Sequence, residues 1–419
     1  MRKEMEEKIF QSTEVDAILL TSPANMRFVA GFTGEGYVYF SRRQKVVVTD
    51  SRYVIAAKNE CPGYEIETWT SDGYFLNLLA HLKEEESVKR LGIEDEVMTV
   101  SLYHKLEKQL QKNEGKSPDL ISLENKMNQF RQIKTEKEQE RIRQAEAIGD
   151  RAFTKTIVKI HEGMTEKQVA AWLEFYMKEE GAEGFSFDTI AASGEHSAMP
   201  HAIPTDKKLE NGDFLTMDFG CLYQGYCSDM TRTVVIGSAS EKQREIYDTV
   251  LKAQETALLG IRPGMKGSQI DAMARDVITD AGYGKYFGHA LGHSVGLEIH
   301  ESPNFSPREE TVIKPGMVIT VEPGIYIEGS HGIRTENLLL CRKAEKNGYG
   351  QFMRFETMTY APIDTEAIDI SVMEPSDVRL LNQYHKDVYE KLSPYLTKEE
   401  AEWLKDVTKP VGGDAQWHI

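Results

Sequence analysis

The chain repeats itself, and the repeat carries acids. Leu209 to Gly220 reads LENGDFLTMDFG and Ile313 to Gly324 reads IKPGMVITVEPG. Aligned without a gap, Gly212, Thr216 and Gly220 fall on Gly316, Thr320 and Gly324, and Asp218 falls on Glu322. Upstream, Gly163-Met164 corresponds to Gly264-Met265. Downstream, each copy leads into a second strand-like run with an acid in it, CSDMTRTVVI with Asp229 and GIRTENLLL with Glu336. A duplication of this size predicts two similar half-domains facing each other. It also puts carboxylates on apolar strands, where an isolated one is costly.

Four acids brought together in such a setting repel one another unless something neutralises them. Two divalent cations balance the four charges of Asp218, Asp229, Glu322 and Glu336. A fifth candidate ligand, His293, lies in FGHALGHSVGLEIHE with His289 and His300 on either side. An imidazole nitrogen among carboxylate oxygens suits manganese, iron, cobalt or zinc better than calcium. The competing reading is that each acid separately caps a turn or pairs with Arg232 or Arg334. That reading serves any single acid well but does not account for four at matched places beside a histidine cluster.

The 419 residues leave room for two or three domains. Residues 1–134 read as an α/β domain, from apolar runs such as VDAILL, KVVVTD and RLGIEDEV alternating with helical stretches such as SLYHKLEKQL. Thr135 with Glu138 forms a capping box for a charged helix expected to reach Ile160, and Thr165 with Gln168, Ser240 with Gln243 and Thr397 with Glu400 mark further helix starts. On the second of these helices Val169, Trp172, Leu173 and Tyr176 form an apolar stripe expected to face the core. Helices then strands, twice over, predict an α+β domain with an antiparallel sheet across residues 135–362, followed by a helical extension over 363–419. The net charge of −17 argues against nucleic acid and anionic membranes as partners. The charged start MRKEMEEK lacks a signal-peptide core, and Cys61, Cys221, Cys227 and Cys341 form no CxxC pair. Together these point to a cytoplasmic chain with buried thiols.

As an ordered set, MDFG, SDMTRT, GHSVGLEIHE, VEPG and GIRTEN resemble the metallopeptidases of the pita-bread fold, in the branch of Xaa-Pro aminopeptidases and prolidases. The resemblance covers essentially the whole chain. FTG and TDSRY match the creatinase-type N-terminal domain, and RFETMTYAPIDTEAID with LNQYHKDVYEKLSPYL matches the extension of the larger aminopeptidase P enzymes. It implies that Asp218 chelates one metal, that His293 and Glu322 hold the other, and that Asp229 and Glu336 bridge the pair. It further implies two divalent ions, manganese first, with a bridging hydroxide as nucleophile and Glu322 as the proton-transferring group. His201 and His300 are implied to stabilise the intermediate and position the substrate, and His289 to line the proline side. Arg334, two residues before Glu336, is expected on the same strand face, where it orients that carboxylate or meets the peptide. His331 and Thr335 depart from the commoner glycine and aliphatic residue. The expected activity is an Xaa-Pro aminopeptidase acting on peptides with proline second, as a homodimer. A prolidase restricted to dipeptides is the alternative, methionine aminopeptidase a more distant one, and a non-catalytic binding module the reading from another class.

Overall fold

The computed structural model describes residues 2–71, 73–112 and 117–412. The chain divides into two compact units, residues 1–131 and 132–419. This places the division three residues before the expected 134 and groups the residues from 363 onward with the second unit.

In the first unit, side chains along each short strand alternate between two faces. Ile18 and Leu20 enter one core with Ile9, Phe10, Met26 and Val29, while Ala17 and Leu19 enter another with Leu78, Leu82 and Leu106. Both faces of the sheet are therefore covered by helices. Its six strands lie in the order Glu65–Thr68, Lys45–Thr49, Gly36–Ser41, Ala17–Leu20, Arg90–Ile93 and Asp119–Ser122. The pairings are mixed: Ala17–Leu20 runs antiparallel to Gly36–Ser41 and parallel to Arg90–Ile93.

The second unit shows the duplication at the level of single hydrogen bonds. Leu209 N donates to Met164 O at 2.8 Å, and its counterpart Ile313 N donates to Met265 O at 2.9 Å. Gly212 N reaches Ile236 O and Gly316 N reaches Cys341 O. The two glycines have φ of 91° and 93°, a left-handed conformation that disfavours any side chain. The bridges Thr165 to Lys208 and Lys266 to Val312 are equivalent as well. Each half owns a core. One is built from the helices Glu136–Ile157 and Glu166–Glu179, the other from Glu241–Gly260 and Gly267–Asp280. All strand pairings in this unit are antiparallel, with Phe214–Phe219 between Ile190–Ser193 and Met230–Val235, and Val318–Val321 between Gly292–Ser294 and Asn337–Asn347.

The four named capping boxes form. The helix after Thr135 stops at Ile157, three residues short of the expected Ile160. The stripe after Thr165 is narrower than expected: Val169 and Leu173 are fully buried, but Trp172 is 38% exposed. It stacks on Tyr176 under the Lys159 ammonium, which lets an indole sit at a wet surface. At the C-terminal end, the helix Pro375–Leu392 docks through Tyr384, whose hydroxyl donates to Ala361 O at 2.7 Å, and His385, whose Nε2 accepts from Ile363 N.

Candidate active site

The matched strands deliver their acids to one place from slightly different positions. Asp218 lies within Phe214–Phe219, whereas Glu322 follows directly after Val318–Val321. Asp229 immediately precedes Met230–Val235, and Glu336 immediately precedes Asn337–Asn347. The expectation that all four sit on strands thus holds for Asp218 alone. The others occupy strand ends, where the backbone is free to turn a carboxylate inward. Asp218, Asp229 and Glu336 each offer an oxygen within 4.8 Å of the others. His293, in the middle of Gly292–Ser294, brings Nε2 to 3.4 Å from Asp229 Oδ2 and 3.5 Å from Glu322 Oε1. All five residues expected to hold metal therefore converge.

Their electrostatics are those of a site short of positive charge. Burial, followed by mutual repulsion, holds the Asp229 and Glu336 carboxyls well above the usual range, and burial pushes Glu322 up to about 8. Burial brings His293 down to about 4, so its imidazole is neutral and able to ligate. Its Nδ1 faces Ser294 O at 3.2 Å, which assigns the proton there and leaves Nε2 as the lone pair toward the acids. Asp218 and Glu336 each have one oxygen held by the protein and one with no hydrogen-bond partner among the described residues. Asp218 Oδ2 accepts from Arg334 at 2.5 Å and Glu336 Oε2 from the Thr231 hydroxyl at 2.7 Å; Asp218 Oδ1 and Glu336 Oε1 are the orphans. Buried, unpartnered and convergent carboxylate oxygens beside a neutral imidazole fit divalent cations.

Arg334 does not orient Glu336 directly. Its strand, His331–Arg334, ends at that residue, so the two-residue period that would put both side chains on one face no longer applies. The guanidinium instead reaches Asp218, the Tyr326 hydroxyl at 2.6 Å and the Thr231 hydroxyl at 3.0 Å, touching Glu336 only through Thr231. Tyr326 in turn lies 3.0 Å from His289 Nε2. Burial and the Arg334 charge hold His289 down to about 4, so it meets Tyr326 as a neutral ring. His300 packs edge-on against His293 with ring centres 4.5 Å apart, and its pKa is lowered by burial and by nearby His201. His201 and His300 are exposed, whereas His289 is half-buried. His331 and Thr335 are both buried, and His331 packs against the Phe214 ring.

Several participants escaped sequence reasoning. Thr231 lies two residues beyond Asp229, so alternation could have flagged it, but Tyr326 had no such signal. Behind the acids, the buried Glu146 accepts from Asp229 N at 3.2 Å and from the Thr359 hydroxyl at 2.5 Å. Arg232 donates to Glu336 O, Thr231 O and Ala361 O, tying the starts of the two acid-bearing strands to the C-terminal segment.

Comparison with known proteins places the chain in a family. Residues 140–343 match the metallopeptidase family M24, residues 2–133 the creatinase/prolidase N-terminal domain, and residues 351–411 the C-terminal region of peptidase M24. The chain is 40% identical over 335 residues to the Xaa-Pro dipeptidase of Pyrococcus furiosus, covering 80% of this chain and 92% of that one. The solved Xaa-Pro dipeptidase of Bacillus anthracis superposes with a TM-score of 0.79 at 38% identity, covering 87% of this chain and 99% of that one. The X-Pro aminopeptidase of Thermotoga maritima gives 0.75 at 37% identity, over 85% and 98%. The chain belongs to the pita-bread metallopeptidases of family M24. Among the described residues no helix is long and apolar enough to cross a membrane.

Within the family, these relatives shift the weight of the assignment. The sequence leads with the aminopeptidase and keeps the dipeptidase as its alternative; of the two, the relatives support the dipeptidase better. The tail, which with the short connection between Glu322 and Glu336 favours the aminopeptidase, matches the C-terminal region of peptidase M24 as a whole.

Proposed function

We propose that this protein is a dinuclear-metal Xaa-Pro dipeptidase, hydrolysing the bond between an N-terminal residue and a following proline. The convergence of Asp218, Asp229, His293, Glu322 and Glu336 carries the reading. Two divalent ions, with manganese as the proposed metal, would supply a hydroxide nucleophile near neutral pH and polarise the attacked carbonyl. Asp218, Asp229, His293, Glu322 and Glu336 would hold them.

The chain's own residues supply the rest. Thr320 fixes Glu322 Oε1 through its hydroxyl at 3.1 Å, leaving Oε2 to take a proton from water and return it to the proline nitrogen. That nitrogen has no hydrogen of its own in the substrate, so its departure depends on such a donor. His201 and His300, exposed at the cleft, are assigned to the substrate carbonyl and carboxylate. His289, fixed against Tyr326, is assigned to the wall that receives the proline ring. Homodimer formation is carried over from the family resemblance, and a cytoplasmic location from the scattered cysteines and the charged start of the chain.

A longer-peptide activity is the second reading, favoured by the likeness to the Thermotoga maritima X-Pro aminopeptidase. Product analysis of the manganese-loaded protein with Ala-Pro, Ala-Pro-Ala and Ala-Ala-Ala separates the two. Cleavage of Ala-Pro alone supports the dipeptidase, and alanine release from Ala-Pro-Ala establishes the aminopeptidase. Failure on every peptide with manganese, cobalt, zinc and iron would favour a non-catalytic module.

A further inference from the structure

The helix Glu241–Gly260 presents Leu251, Glu255 and Leu258 along one stripe, in keeping with helical spacing. They line a cavity of about 200 Å³ whose other walls include Leu339, Phe355 and Leu381, the last from the helix Pro375–Leu392. Glu255 is only 6% exposed, and its Oε2 has no hydrogen-bond partner among the described residues. A carboxyl in that position is a costly thing for a fold to keep without a partner.

The other polar groups around the cavity are already committed. Gln254 gives its amide to Val321 O and Thr335 O, the Tyr384 hydroxyl donates to Ala361 O, and Asn337 Oδ1 accepts from Arg232. Gln383 donates to Asp387 at the mouth. Lys252, the nearest cation on the same helix, pairs with Asp377 at 2.7 Å. A larger cavity of about 440 Å³ beside Trp403 lacks this feature, because its half-buried Asp364 accepts from Val235 N and Glu366 N.

We propose that the Glu255 cavity is a binding site for a small apolar primary amine, with the ammonium on the Glu255 carboxylate and a branched hydrocarbon tail among Leu251, Leu258, Leu339, Phe355 and Leu381. The volume falls below the roughly 300–1,000 Å³ of sites for drug-sized ligands, which sets the size of the occupant. A free amino acid is excluded by its own carboxylate, which would face Glu255 and Asp387. Burial, together with Asp377, pushes the Glu255 carboxyl up to about 8, and an ammonium partner would relieve that penalty. Gln254, adjacent to Glu255, bonds the carbonyls that precede Glu322 and Glu336, so the site lies behind the acid-bearing strands. It shares no residue with the proposed metal ligands.

The test is calorimetric titration of the manganese-loaded full chain with 3-methylbutylamine, 3-methylbutanol and leucine. Saturable binding of the amine, with the alcohol and leucine at least tenfold weaker, is expected. Glu255→Gln and Leu381→Trp, the second filling the cavity, should each weaken amine binding at least tenfold while keeping the wild-type far-UV circular dichroism and manganese content. Absence of saturable amine binding, undiminished affinity in folded Glu255→Gln, or equal affinity for the alcohol would overturn the assignment. None of these readouts depends on peptide turnover, so the outcome stands apart from the peptidase reading.

Discussion

In the first half of the second unit, Asp218 sits inside its strand and accepts from Arg334 through Oδ2; at the matching place in the second half, Glu322 follows the end of its strand and accepts from the Thr320 hydroxyl. The scaffold beneath them is duplicated, with equivalent bonds at Leu209 and Ile313 and equivalent left-handed glycines. The differences lie in side chains that have no counterpart across the repeat. Arg334 comes from the second half and reaches an acid of the first, while His293 sits 3.4 Å from Asp229 of the first. Duplication thus sets the positions of the acids, and unmatched residues make each half depend on the other.

The strongest way to break this comparison is to remove one acid from each half. Asp229→Ala and Glu336→Ala should each abolish metal binding and Xaa-Pro turnover together. The loss should exceed the 10²–10³-fold, in order of magnitude, that follows removal of a single electrostatic donor. Metal content by elemental analysis, read beside product release, checks it, and normal turnover in either variant would sink the dinuclear assignment. Chelation probes the same charges without mutation. The raised pKa of Asp229, Glu322 and Glu336 means that the metal-free folded state binds more protons than the unfolded chain. Its stability should therefore fall as pH rises from about 4.5, the ordinary value for glutamate, toward about 8 for Glu322. Thermal melts from pH 5 to 8.5 should show this decline after chelation and a much weaker one with manganese restored. Parallel curves would mean the metal does not neutralise these acids. A smaller effect is expected at Thr231, whose hydroxyl joins Arg334 to Glu336. Thr231→Val should cost about 10–100-fold in metal affinity, as outer-shell changes do, and Thr231→Ser should recover most of it.

The sequence was most informative where the determining contacts are local or repeated. The four capping boxes need partners only three residues apart, and all form. The four acids could be grouped because two copies of one pattern displayed them, and His293 because it lies in a cluster of three histidines. Tyr326 and Glu146 were invisible for the opposite reason: each acts through a partner brought close by folding, Glu146 through Asp229 N at a separation of 83 residues. Alternation along one strand puts Arg334 beside Glu336 or toward the peptide, but the strand ends at Arg334 and the guanidinium reaches Asp218 instead of Glu336. Helical spacing puts Trp172 in the core, yet a lysine and a tyrosine ring satisfy it at the surface. Helical spacing identifies a face; its width depends on what packs there.

The finest test of the duplication compares the two glycines themselves. Gly212 and Gly316 share φ within 2° and make equivalent bonds, so the backbone penalty for alanine should be the same at both, about 1–2 kcal/mol. Their surroundings differ. A Cβ at Gly212 would find nothing nearer than Ser238 O at 3.8 Å, whereas one at Gly316 would meet Ile133 Cγ2 at 2.9 Å. Gly212→Ala should accordingly show the conformational cost alone, and Gly316→Ala that cost plus the displacement of Ile133. Denaturant unfolding of the two variants measures the difference directly. Equal losses would mean that the Ile133 side chain yields freely and that the halves are alike in packing as well as in backbone. A larger loss at Gly212 would show that equivalent φ does not impose an equivalent constraint.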